Sequence, residues 1–131
     1  MHRHFERMTV QNLFAVAVGG SIGAVARYLM TLGIQRIVPT SFAAVGTLCV
    51  NVLGCLLIGL MMALAEREAV SPTMKLVIVT GLLGSLTTFS TFGFETVELA
   101  RAGRMPAAFA NVGVNLLLGL PCVLLGRSLA G

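Results

Sequence analysis

The chain has 131 residues, enough for a single domain covering 1–131, with 56% hydrophobic and 11% charged residues and a net charge of +4. Soluble domains carry about 25% charged residues, so this composition excludes an ordinary soluble globule and points to an all-α integral membrane protein. The positive charge is scattered with no basic run, which excludes a nucleic-acid footprint and reads as loop charge beside the headgroups of a lipid bilayer.

In chain order, the N-terminal stretch "MHRHFER" is charged, and His2 and His4 read as solvated tail residues. No small-residue cleavage site follows the first apolar run, so that run is expected as a retained helix rather than a signal peptide. A helix needs about 20 apolar residues to cross the hydrocarbon core, and four segments satisfy this. They run from about Leu13 to Ile34, Phe42 to Ala65, Met74 to Ala100 and Ala107 to Gly126. Pro39, Pro72 and Pro106 punctuate the gaps, each just before or at a helix start. Pro121 lies inside the fourth span, a place for a kink. The loops leave no room for a second domain, and the spans show no internal repeat. Cys49, Cys55 and Cys122 all fall in apolar segments and read as small buried hydrophobes rather than disulfide or metal partners.

The basic residues divide almost evenly between the two sides of such a bundle. Arg3, Arg7, Arg67, Lys75 and Arg127 fall on one side, and Arg27, Arg36, Arg101 and Arg104 on the other. Loop charge sets orientation, so a chain with this balance can insert either way. Two copies in opposite orientations would then pair as an antiparallel, dual-topology homodimer, supplying by association the inverted repeat that larger transporters build within one chain.

Polar groups at membrane depth are costly and usually face protein or water. Three clusters stand out. In "GGSIGAVARY", Gly19 and Gly23 form a GxxxG pair that permits close helix approach. Arg27, one turn on, either snorkels to the interface or has a structural or vestibule role, such as attracting an anion. In "GTLCVNVLG", Thr47 and Asn51 share a face at i and i+4, with Gly54 close to it. Asn51 reads either as interhelical glue or as part of a polar track, and Asn111 and Asn115 repeat the same spacing in the fourth span.

The third cluster is "GLLGSLTTFSTFGFE", residues 81–95. Gly81 and Gly84 weaken the helix, and the hydroxyls of Ser85, Thr87, Thr88, Ser90 and Thr91 can rebind freed carbonyls, so a broken third span is expected here. Broken spans expose carbonyls that can hold a cation. Phe89 and Phe92 face one way at i and i+3. They read either as packing residues or as rings whose positive edges meet an anion. Glu95 is expected near an interface, capping a helix or pairing with a basic residue.

These three motifs, in this order and in so small a chain, resemble those of the Fluc/CrcB-type fluoride ion channels, and the resemblance covers nearly the whole length. It implies a fluoride-selective channel, not an enzyme, in the cell inner (plasma) membrane, relieving fluoride toxicity by passive efflux. It also implies an antiparallel homodimer with two pores. By resemblance, Phe89 and Phe92 present ring edges to fluoride and Asn51 is the pore asparagine of the second helix. Thr47 and Arg27 match the second-helix threonine and the vestibule arginine, and Thr88 and Ser90 lie in the pore motif. Gly84 and Thr87 match the positions whose carbonyls hold a structural sodium ion at the dimer interface. Two departures stand out. Asn111 and Asn115 occupy places where the family often has Tyr and Ser, and Ser85 stands where Gly is common. An asparagine amide can still donate to an anion.

Two rivals predict different behaviour. A small dual-topology multidrug or cation exporter would carry an embedded glutamate in its first helix, and this first span has no acidic residue. A non-conducting membrane assembly subunit would use the same polar groups only as glue. No catalytic pair is placed at depth.

Overall fold

The computed structural model describes residues 10–39 and 44–131, whose regular structure is helical. Helix α1 runs Val10–Gln35 and α2 runs Ala44–Glu66. The third span is composite. A turn of α-helix at Pro72–Lys75, a π-helix at Leu76–Leu83 and a further α turn at Gly84–Leu86 together make α3. After an extended pair of residues, α4 runs Phe89–Arg101, and α5 runs Met105–Leu129. Among the described residues, four helical stretches are long and apolar enough to cross a membrane: Val10–Gln35, Ala44–Glu66, Pro72–Arg101 and Met105–Leu129. The first, third and fourth are a few residues longer than the apolar runs that announced them, and the second ends one residue beyond its run. His2, His4, Arg3, Arg7 and the expected start of the second span at Phe42 lie outside the described residues.

Local chemistry sets the helix ends. Ser71 caps α3, its hydroxyl accepting from Met74 N–H at 3.2 Å with Pro72 at the first helical position. The α4–α5 turn closes with Gly103 at φ +74°. There Arg104 N–H donates to Leu99 O and Gly103 N–H to Ala100 O. This pattern requires a left-handed residue that glycine adopts without strain. Pro121 sits within an α5 that continues through it.

Packing rests on small residues rather than on interlocked large ones, as expected where lipid removes the hydrophobic drive between helices. Ala15, Gly19 and Gly23 form the buried stripe of α1. A Cβ at Gly19 would strike the carbonyl of Val77, and one at Gly23 the carbonyl of Leu82. From the other side, a Cβ at Gly81 would lie 2.7 Å from Val16 O and 2.9 Å from Gly19 Cα. The π segment therefore lies backbone to backbone against α1. The same device joins α2 to α5, where Gly59 faces Val123 O and Gly126 faces Leu56 O. A bidentate ion pair from Arg127 to Glu66, at 2.7 and 3.0 Å, ties the C-terminal ends of these two helices together.

A small core of Val50, Leu83 and Leu86 sits beneath the end of α3, with Leu57, Ile58, Ile78 and Leu82 packed around it. The large apolar side chains elsewhere, such as Phe14, Ile22, Phe109, Leu117 and Leu124, point outward. That is an inverted arrangement for a soluble protein and an ordinary one for a helix bundle in lipid.

The glycine contacts give a direct test. Gly19→Val or Gly23→Val should destabilise the bundle by about 1–3 kcal/mol through overpacking against backbone, read as a lower thermal midpoint and less monodisperse protein in detergent. Gly33→Val, at a position with nothing within 4 Å, should leave both unchanged.

Candidate functional site

The third span breaks at Thr87 and Thr88. Thr87 has φ −79°, ψ 154° and Thr88 has φ −150°, ψ 115°, both extended. The break lies within the Gly- and Thr-rich run, just beyond Gly84. Ahead of it, the chain has already left α geometry, since Gly84 N–H reaches Val79 O, five residues back. A π segment of this kind widens the helix and often accompanies functional sites.

Side chains take up the backbone groups that the break frees. Asn51 on α2 binds the Thr88 peptide from both sides. Thr88 N–H donates to Asn51 Oδ1 at 2.9 Å, and Asn51 Nδ2 donates to Thr88 O at 3.3 Å. Thr88 then caps α4, its Oγ1 accepting from Thr91 N–H at 3.3 Å. The same hydroxyl donates to Thr91 Oγ1 at 3.0 Å and lies 3.3 Å from Ser90 Oγ. Thr87 folds back, its amide and its hydroxyl both donating to Leu83 O at 3.1 and 3.0 Å. Its methyl occupies the space that a Cβ on Gly54 would need. In an unbroken α-helix, Thr88 N–H and Thr91 N–H would donate to Gly84 O and Thr87 O. Here both donors go to side chains instead, which turns those two carbonyls away from helical pairing. Gly84 itself is exposed.

Phe89 and Phe92 stand on the first turn of α4, just past the break. Their ring centroids are 5.5 Å apart with planes at 48°. Phe89 is 83% exposed, while Phe92 is half-buried. A second polar line runs along α4 and α5. Thr96 Oγ1 donates to Phe92 O at 2.7 Å, and Asn111 Nδ2 donates to Thr96 Oγ1 at 2.8 Å. Asn115 Nδ2 donates back to Asn111 O at 2.8 Å and to its Oδ1 at 3.1 Å. Sequence reasoning missed Thr96. The signal was its position four residues after Phe92, one turn along the same face.

Thr47, 2% exposed, donates to Glu95 Oε1 at 2.8 Å. Glu95 is not paired with a basic residue, one of the two roles its position suggested. Its partner is a buried hydroxyl on α2, and its Oε2 is buried with no hydrogen-bond partner among the described residues. Glu95 and Asn111 line a groove of about 840 Å³ between α2, α4 and α5, together with Leu48, Phe94, Leu99 and Val114. Arg27 is half-buried on α1 and forms no hydrogen bond or ion pair among the described residues. The structure thus brings Asn51, Thr87, Thr88, Ser90, Phe89 and Phe92 together at the break. It joins Asn111 and Asn115 to them through Thr96, places Thr47 on Glu95, and leaves Arg27 apart. Cys49 is exposed rather than buried; Cys55 and Cys122 are half-buried.

A sequence model of the family described as CrcB-like protein, Camphor Resistance (CrcB), matches residues 14–127. The chain belongs to the CrcB family. It is 48% identical over 120 residues to the fluoride-specific ion channel FluC of Shewanella loihica, an alignment that spans 92% of this chain and 96% of that relative. The channels of the same name from Shewanella woodyi and Shewanella sp. strain ANA-3 match at 44% and 48% over the same shares. Four apolar spans and CrcB membership make this a multi-pass membrane protein. The match reaches into all five helices, so the break, its Asn51 tie and the phenylalanine pair all lie within the CrcB region.

The tie between Asn51 and Thr88 is testable by itself. Asn51→Leu keeps the bulk but leaves the Thr88 N–H and C=O without partners in an apolar setting, at a cost of about 1–3 kcal/mol. Amide exchange at Thr88 and Thr91 should accelerate, while exchange in α1 stays at its original rate.

Proposed function

We propose that this chain forms a fluoride-selective channel that lets cytoplasmic fluoride leave the cell passively through the inner (plasma) membrane. The observation that carries this reading is the break at Thr87–Thr88, with a phenylalanine pair on the first turn beyond it, in a chain whose close relatives bear the name of fluoride-specific ion channels. Fluoride is small and strongly hydrated, so removing its water calls for several donors at close range. The site offers hydroxyls at Ser90 and Thr91, the remaining amide N–H of Asn51 and of Asn111, the latter braced by Asn115, and the ring edges of Phe89 and Phe92. The N-terminus of α4 adds a positive helix end inside the span. Hydrogen fluoride crosses membranes as a neutral molecule and ionises in the cytoplasm; a negative membrane potential then favours exit of the anion. The exporter reading is disfavoured because α1 has no acidic residue.

The working unit in this reading is an antiparallel, dual-topology homodimer. On α1, Ala17, Ser21, Ala24 and Tyr28 are exposed at spacings of four, three and four, and Thr80 and Gly84 are exposed on α3. Small and polar residues suit contact with another helix better than contact with lipid tails. A sodium ion at the two-fold axis would be held by the carbonyls of Gly84 and Thr87 from each copy. The loss of their helical donors and the exposure of Gly84 support this, and oxygen ligands suit such a hard cation. Bound there, the ion would supply positive charge close to the anion path.

Fluoride efflux from liposomes containing only this protein, read with a fluoride electrode, tests the function. Phe89→Ile and Phe92→Ile keep the apolar bulk and remove the ring edge. Each should slow efflux about tenfold or more, a barrier increase of ~1.4 kcal/mol, with unchanged dimer yield. Unchanged efflux in both would return the pair to packing, and no efflux from the well-folded parent would favour the assembly-subunit reading.

Orientation has its own test. A cysteine placed in the N-terminal tail of a chain lacking the three native cysteines should be labelled from both sides of the membrane in similar amounts. Labelling from one side alone would defeat the antiparallel dimer.

A further inference from the structure

We propose that Cys55 on α2 and Cys122 on α5 form a two-coordinate site for a thiophilic divalent cation of the mercuric class. Both helices carry the same short motif, C-x-x-x-G, at Cys55–Gly59 and Cys122–Gly126. The contacts between them are reciprocal. Gly59 faces the carbonyl of Val123, the residue after one cysteine, and Gly126 faces the carbonyl of Leu56, the residue after the other. This relates the two helices by a local two-fold, with Gly59 equivalent to Gly126, Leu56 to Val123, and therefore Cys55 to Cys122. The bidentate tie between Glu66 and Arg127 fixes the same parallel alignment at the helix ends.

The thiols consequently stand at one level beside a glycine-lined helix crossing. Cys55 Sγ points into the seam, 3.4 Å from where a Cβ on Gly119 would lie, and Gly119 is one turn before Cys122 on the same face. Both thiols are free.

The ligand count selects the ion. Among the described residues no group of three or more His, Cys, Asp or Glu could hold a metal, so zinc, calcium and magnesium lack the ligands they require. Two sulfurs suffice for a soft cation that accepts linear coordination. On binding, two S–H bonds break, two protons leave to water and two sulfur–metal bonds form. A divalent ion with two thiolates is neutral, which suits an apolar seam. A monovalent ion would leave a net negative charge there.

The test is titration of the reduced, desalted protein in detergent with mercuric chloride, followed by ultraviolet metal–thiolate absorption and intact mass, then challenge with a monothiol. Wild type and Cys49→Ser should keep one ion per chain through the challenge. Cys55→Ser and Cys122→Ser should each bind about 100-fold more weakly or worse, because the second arm is lost. Fluoride efflux should stay at the parent rate in the metal-free variants, which reports folding. Independently of any variant, one equivalent of the ion should protect Cys55 and Cys122, but not Cys49, from maleimide, as located by peptide mass. Retention by either single variant, loss on removing Cys49, or two separately bound ions in wild type would overturn the proposal.

Discussion

A peptide group turned out of helical pairing within hydrocarbon has no water to bind, so a broken span survives only where protein supplies the partner. In this chain that partner is the Asn51 amide. It offers an acceptor and a donor on one rigid plane, the same pair of functions that a neighbouring strand would present to the Thr88 peptide. The bond fixes Thr88 in an extended conformation. An extended Thr88 can act as an N-cap, and the cap starts α4 with its positive end inside the membrane. The position of the phenylalanine pair follows from where that first turn begins. Asn51, Thr88, α4 and the two rings therefore form one chain of dependence rather than four separate features.

Asn51 can reach Thr88 only because α2 lies close to the break, and the glycines account for that closeness. Gly54, one turn beyond Asn51, leaves room for the Thr87 methyl. Gly19, Gly23 and Gly81 bring α1 and the π segment together, and Gly59 and Gly126 do the same for α2 and α5. Each such contact trades side-chain volume for backbone proximity. In lipid this is a favourable exchange, because apolar side chains gain little by leaving the tails while close backbones gain dispersion contact. The bundle thus holds a precise polar site with few large buried side chains, Val50 and Leu83 among them.

How much of this the sequence carried differs by kind of feature. The four spans are visible because apolar runs of sufficient length have no other good explanation. A break in the third span is visible because Gly84, Thr87 and Thr88 are poor residues for an uninterrupted helix. The structure puts the extended residues at Thr87 and Thr88, among the hydroxyls of the Gly- and Thr-rich run. The π-helix over Leu76–Leu83 was not legible, since "LVIVTGLL" is apolar on every side and shows no period that separates five-residue from four-residue pairing. The partner of Glu95 was hidden for a different reason. A carboxylate near the end of a span suggests a basic neighbour until the fold brings Thr47, 48 residues earlier, to its oxygen. Cys49 looked buried because apolar neighbours in sequence are not neighbours in space, and its side of α2 faces outward. The reciprocal C-x-x-x-G motif was present in plain letters, but only the pairing of α2 with α5 shows that its two copies meet.

The structure also changes how the two readings of Asn51 stand to each other. As interhelical glue and as an anion donor they looked like alternatives, because one side chain seemed unable to do both. The amide carries one acceptor and two N–H donors. Binding the Thr88 peptide uses the acceptor and one donor, which leaves the second N–H for another partner. Holding that plane against the peptide removes its freedom to rotate, so the remaining donor is aimed without further loss of entropy when an acceptor arrives. In the proposed channel, a residue that steadies the break would for the same reason be a better anion ligand than a freely rotating amide. An aspartate there would keep the acceptor, lose both donors and set negative charge against Thr88 O, harming the support and the proposed ligand through one change.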